Sequence, residues 1–236
     1  MDNFCKIRRR GFTLVELLIA MAAGTVIIAA VYSAMNLALR FSANTDRKVI
    51  TQQDTRAVLD LMAMEIRMAS YNPTNNIPTN TWGNPSTLVC MPSLALAPIT
   101  FKGIKSATAN SIAVAMDLNG DGVIGPPGTN EYIVYSYDGA DTITRSVSCG
   151  NNFAILGGTA PFTNVRNAAV LPIPIPLFQY FDRNDQPTAL IPNIRRIQIT
   201  IVTDTLANDT TQTGTPRPRR MIYSTSVIVR NHALSP

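Results

Sequence analysis

Lys6-Ile7-Arg8-Arg9-Arg10-Gly11-Phe12-Thr13-Leu14-Val15-Glu16-Leu17 leads into an apolar run, Phe12 to Leu39, in which Glu16 is the only formal charge. A run of that length can cross a bilayer as a helix. An ionised side chain inside such a span is expensive, so Glu16 reads as a functional residue with a partner to be found. Lys and Arg ahead of a first span stay in the cytoplasm, so everything after about residue 40 is expected on the far side of the membrane.

The rest of the chain has ordinary globular character. Of its 236 residues 46% are hydrophobic and 15% charged, enough for one anchor and one domain with a real core. The formal charge of +5 sits largely in the leader, where Lys6, Arg8, Arg9 and Arg10 face only Asp2. A nucleic-acid footprint needs clustered cations on the folded domain. Arg217, Arg219 and Arg220 come nearest and read as a solvated loop, so no nucleic-acid partner is expected. Cys5 belongs to the leader, which leaves Cys90 and Cys149 for the exported part. In an oxidising compartment that pair most simply forms a disulfide; two unpaired buried thiols are the alternative.

An ordinary secretory signal peptide would explain the basic start. The apolar run is too long for it, Glu16 sits near its beginning, and Val31-Tyr32-Ser33 fits a cleavage site only loosely. A plain single-span anchor explains the length but not Glu16 or the Gly11-Phe12 junction. Arg10-Gly11-Phe12-Thr13-Leu14-Val15-Glu16-Leu17-Leu18 resembles, at every position, the class III signal of type IV pilins and type II secretion pseudopilins. The resemblance implies cleavage between Gly11 and Phe12 by a prepilin peptidase, N-methylation of Phe12, and a mature chain of 12–236. It also implies a partner for Glu16, the terminal amine of a neighbouring subunit in a filament. Opposite charges attract strongly in low dielectric, and an unpaired one is costly there.

The fold expected is α+β. A leader (1–11) precedes a membrane and assembly helix (12–39), which continues as an amphipathic helix (40–71) packed on an antiparallel β-rich domain (72–236). Val58, Leu61, Met62, Ile66 and Ala69 recur at helical spacing, with Gln52, Asp54, Arg56, Asp60 and Arg67 between them. Asn72-Pro73 is the expected stop. Strands are expected at 87–91, 99–102, 111–116, 131–137, 142–147, 177–182, 195–203 and 221–230. Ile197, Ile199 and Ile201 alternate with Gln198, Thr200 and Val202, the half-buried antiparallel pattern. Asp138-Gly139-Ala140-Asp141 reads as a hairpin, Pro172, Pro174 and Pro176 as a stiff connector, and 204–219 as a polar loop. Asp117-Leu-Asn-Gly-Asp-Gly122, Glu131-Tyr-Ile-Val-Tyr-Ser-Tyr-Asp138, Phe178-Gln-Tyr-Phe-Asp182 and Ile194-Arg-Arg-Ile-Gln-Ile199 together resemble the PilW-type minor pilins.

Asp117, Asn119 and Asp121, followed by Gly122, have the first half of an EF-hand-like calcium loop, with the Val123 carbonyl as a further donor. The twelfth position is Gly128, so a carboxylate there is missing. Glu131 substitutes for it if residues 125–128 fold it back. The competing reading is an Asx-rich turn without metal. Bound Ca²⁺ would be structural. His232 is the only histidine, at a C-terminal end expected to fray, and no nucleophile stands in a suitable context. No catalysis and no small-molecule substrate are expected. The leading reading is a minor pilin of a type IV pilus, inserted in the inner membrane with its domain in the periplasm and then incorporated at or near the filament tip. There it would act with other minor and major pilins in adhesion, motility or DNA uptake. A type II secretion pseudopilin and a membrane-tethered, calcium-binding, adhesin-like domain are the alternatives.

Overall fold

A computed structural model describes residues 11–73, 103–122, 124, 129–158, 163–169, 173–208 and 218–233. Helix α1 (Leu14–Arg67) starts the fold. Strands follow as β1 (Ile104–Ala107), β2 (Ser111–Ala115), β3 (Tyr132–Tyr137), β4 (Ile143–Val147) and β5 (Phe153–Leu156). Then come β6 (Asn164–Val165), β7 (Phe178–Phe181), β8 (Arg196–Asn208), β9 (Pro218–Ile228) and a short helix α2 (Arg230–Ala233). The expected strands at 87–91 and 99–102 lie outside the described residues. The chain divides into two compact units, one ending at Asp46 and the other beginning at Arg47.

In the first unit α1 is apolar and exposed. Leu14, Ile19, Ile28 and Leu39 are all more than half exposed, and this is the one described helix long and apolar enough to cross a membrane. Its polar side chains turn back on the helix. Thr25 Oγ1 donates to the Ala22 carbonyl, Ser33 Oγ to Ala29, Asn36 Nδ2 to Tyr32 and Thr45 Oγ1 to Phe41. In lipid such groups must be satisfied within the segment, and here they are.

In the second unit the rest of α1 packs on two antiparallel sheets. The first has the order β1-β2-β3-β4-β5; in the second, β8 carries β6 and β7 on one edge and β9 on the other. Val58, Met62 and Ile66 meet Ile112, Val114, Ile133 and Ile143 of the first sheet and Ile197, Ile199, Ile201 and Val227 of the second in one core. Fully burying an aliphatic side chain contributes about 1.5–3 kcal/mol, so this face holds the helix down. The Asp138–Asp141 turn does join β3 to β4. Asp138 Oδ1 accepts the N–H groups of Ala140, Asp141 and Thr142.

Three expectations on element boundaries are corrected. First, α1 ends at Arg67, before Asn72-Pro73. Ser70 adopts φ +64° and its N–H goes to the Ala115 carbonyl instead of up the helix. Gly103 makes this crossing possible, since a Cβ there would lie 2.3 Å from the Ser70 nitrogen. Second, β8 and β9 reach into the loop expected at 204–219, since their ladder runs on to Asn208↔Pro218, while 209–217 lie outside the described residues. Third, β1, β5 and β6 were not anticipated.

Candidate functional site

The N-terminal segment is built around Thr13. Its Oγ1 accepts the Glu16 N–H (3.2 Å) and its carbonyl accepts the Leu17 N–H (3.1 Å), so Thr13 caps α1. Thr-x-x-Glu is the spacing of a capping box, a signal in the sequence that was read only for Glu16. The cap places Glu16 in the first turn, where the helix dipole favours a negative charge. Glu16 is exposed, and its carboxylate makes no hydrogen bond or ion pair among the described residues. Phe12 is 85% exposed just ahead of the cap, next to Gly11. Thr13, Thr25, Ser33 and Asn36 in the apolar span all bond within the segment; the carboxylate of Glu16 is left to be matched from outside.

The acidic loop folds as a compact turn between β2 and β3. Asp117 Oδ1 accepts the Gly120 N–H (2.7 Å) and Asp117 Oδ2 the Gly122 N–H (3.0 Å). Asn119 Oδ1 accepts from the Asp121 N–H, while its Nδ2 donates to Asp121 Oδ2 (2.8 Å). Glu131 Oε1 accepts the N–H groups of Leu118 (3.1 Å) and Asn119 (3.3 Å), while 125–128, expected to fold it back, lie outside the described residues. Asp117 and Glu131 are both fully buried. Val123 lies outside the described residues. Among the described residues no group of three or more His, Cys, Asp or Glu side chains is close enough together to hold a metal ion.

Cys149 is disulfide-bonded. It follows Ser148 in a turn where both have positive φ, 45° and 63°, closed by Gly150 N–H on the Val147 carbonyl. Cys90 lies outside the described residues. His232 is a satisfied histidine, and its end of the chain is not frayed there: it is buried in α2, its Nε2 donating to the Ile191 carbonyl (2.9 Å) and its Nδ1 paired with Ser70 Oγ (3.1 Å). That hydroxyl also accepts the Gly103 N–H, so His232 ties the end of α1 to β1 and to the 3-10 turn at Ile191–Asn193. Ser70, far away in sequence, is the partner that local context could not supply.

Residues 6–32 fit the family model of the prokaryotic N-terminal methylation motif. No curated protein and no solved structure matches the chain. The matched segment contains Gly11, Phe12, the Thr13 cap and Glu16. A single apolar N-terminal helix together with this motif fits single-pass anchoring in the inner membrane. The motif and the α+β architecture are like those of the type IV pilins and pseudopilins, and the motif implies processing by prepilin peptidase and assembly with other pilins.

Proposed function

We propose that the chain is a minor pilin of a type IV pilus, incorporated in or at the tip of the filament to promote its assembly. The observation that carries this is Glu16, a carboxylate held by the Thr13 cap at the start of an exposed apolar helix with no partner among the described residues. Cleavage after Gly11 creates an amine on Phe12 of each subunit, and N-methylation leaves it cationic. The charge on one subunit's Phe12 then answers the Glu16 of the next as the helices slide together. Glu16→Ala should still insert and be processed, yet disappear from sheared filaments; unchanged incorporation would overturn the reading. Intact mass should show a chain beginning at methylated Phe12. Surface filaments lost with protein secretion intact assign the protein to a pilus, and the reverse assigns it to a secretion pseudopilus.

The exported domain is proposed to carry two stabilising devices. Cys149 pairs with Cys90, which non-reducing peptide mapping tests. Asp117, Asn119, Asp121 and Glu131, with the Val123 carbonyl, would supply hard oxygen donors to a structural Ca²⁺. Asp117 and Glu131 are buried at one turn with their oxygens on main-chain N–H groups, so the donors would have to draw together around the ion. For a site of about 10⁻⁴ M, millimolar Ca²⁺ stabilises the fold by roughly 1–2 kcal/mol, a rise in Tm of several degrees. A melting temperature indifferent to chelator removes the calcium proposal and leaves the assembly reading intact.

A further inference from the structure

The groove between α1 and β5 uses none of the residues of the assembly segment. It measures about 430 Å³, with Asp54, Ala57 and Val58 on the helix wall and Ala154, Ile155 and Leu156 on the strand wall. The two walls run side by side in opposite directions. Glu65 of α1 binds Arg145, which is paired with Phe153, while Val58 and Leu156 share the core and Asp54 shares the groove with Gly158. Eleven helical residues and five strand residues both span about 16 Å, so the walls stay in step along the groove.

The strand wall is an end strand. Among the described residues β5 pairs only with β4. Phe153-Ala-Ile-Leu156 carries none of the usual edge protection, neither charge nor proline, and Phe153 is 67% exposed. Among the described residues its outer edge is unpaired and offers main-chain N–H and C=O groups, while Ala57 and Val58 opposite offer apolar surface. A strand edge facing a helix is the arrangement that accepts an added strand, whose alternate side chains drop against the helix. At one end of the groove Gly157 (φ +87°) lets the strand wall press against Asp141, whose carbonyl oxygen a Cβ there would approach to 1.9 Å. Charge selects the occupant. Asp54 is exposed on the groove wall and makes no ion pair among the described residues.

We infer that this groove receives an extended strand of a partner protein, apolar at alternate positions and bearing Lys or Arg opposite Asp54. The test uses the full chain in detergent micelles and a fluorescent peptide, acetyl-Lys-Val-Thr-Val-Lys-Val-Thr-amide, against its counterpart with Glu for Lys. Saturable binding is expected for the cationic peptide, at least about tenfold tighter than for the acidic one. Ala57→Trp fills the groove from an exposed helix position and should weaken binding by about tenfold or more. Asp54→Lys should invert the preference between the peptides. Thermal melts matching the parent show that both variants fold. No saturable binding, or binding indifferent to both substitutions, overturns the proposal. Self-association of the parent that Ala57→Trp abolishes also overturns it, by giving the groove to a second copy of the chain.

Discussion

The amide of Asn167 fills a gap in the second sheet. β6 and β7 both line the same edge of β8, and between them Asn167 Nδ2 donates to the carbonyls of Thr200 (2.7 Å) and Ile175 (3.1 Å). Its Oδ1 accepts the Val202 N–H (2.9 Å). The side chain thus supplies the donor and acceptor that a strand residue would have supplied. Asn167→Ala leaves several buried main-chain groups without partners, at about 1–3 kcal/mol each, so urea unfolding should show a loss of about 3 kcal/mol or more. Thr203 of β8, equally buried, is the contrast, because its hydroxyl has no hydrogen bond. Thr203→Val keeps the shape and removes the unsatisfied group, so stability should be unchanged or rise by about 1 kcal/mol; a loss of that size would mean the hydroxyl is bonded. Neither role was legible in the sequence. Asparagine before Ala-Ala reads as a loop residue, and the gap it fills exists only once β6 and β7 have found β8.

The second half of α1 is fastened by more than its apolar face. Arg145 of β4 reaches Glu65 through Nε (3.0 Å) and Nη2 (2.6 Å), and the Tyr135 hydroxyl of β3 donates to the same carboxylate. The ion pair is mostly shielded from solvent, with side-chain exposures of 21% and 13%. Removing one partner strands the other, so Glu65→Ala should cost about 3 kcal/mol. A double-mutant cycle with Arg145→Ala should return a coupling of at least about 1 kcal/mol; additive effects would mean that helix and sheet are held by apolar packing alone. At this scale the sequence was informative wherever a pattern ran long enough. Val58, Met62 and Ile66 at helical spacing and Ile197, Ile199 and Ile201 face the core as read, but Thr200 and Val202 between and beside them are buried too, so β8 is not the half-buried strand expected. The Gly11–Glu16 motif was legible because its chemistry is local. Four-residue β5 and two-residue β6 carry no period to detect, and their pairing is decided by β4 and β8. Thr51 and Thr55 are buried on α1 although a polar residue at that spacing reads as exposed. The end of α1 was misplaced because a tertiary bond, Ser70 to Ala115, stops the helix before Asn72-Pro73 can.

For the molecule as a whole, the titration of buried groups gives an alkaline stability maximum. Burial holds the Lys105 ammonium down to about 8 from its ordinary 10.5. Below about pH 8 it is charged in both states, and the folded state bears the desolvation penalty. Between 8 and 10.5 the unfolded chain binds more protons than the folded one, so stability rises with pH, by up to about 3 kcal/mol. The tyrosines act in the opposite sense. Burial raises Tyr132, Tyr137 and Tyr180, and burial together with the Glu65 carboxylate raises Tyr135 far above the usual phenol range. Above about pH 10 the unfolded tyrosines release protons that the folded ones keep, so stability falls. Asp138 sets a weaker acid limb. Its partial burial pulls upward, but the N–H groups of Thr142, Ala140 and Asp141 outweigh this and lower it, so their contribution fades as pH falls through the carboxylate range. Urea unfolding followed by far-UV circular dichroism from pH 7 to 11 should trace a rise, a maximum between about 9 and 10, and a decline. Lys105→Met removes the charged form and with it the rising limb, leaving a curve flat to about pH 10 that then falls; a rising limb that persists in Lys105→Met would assign it to another group.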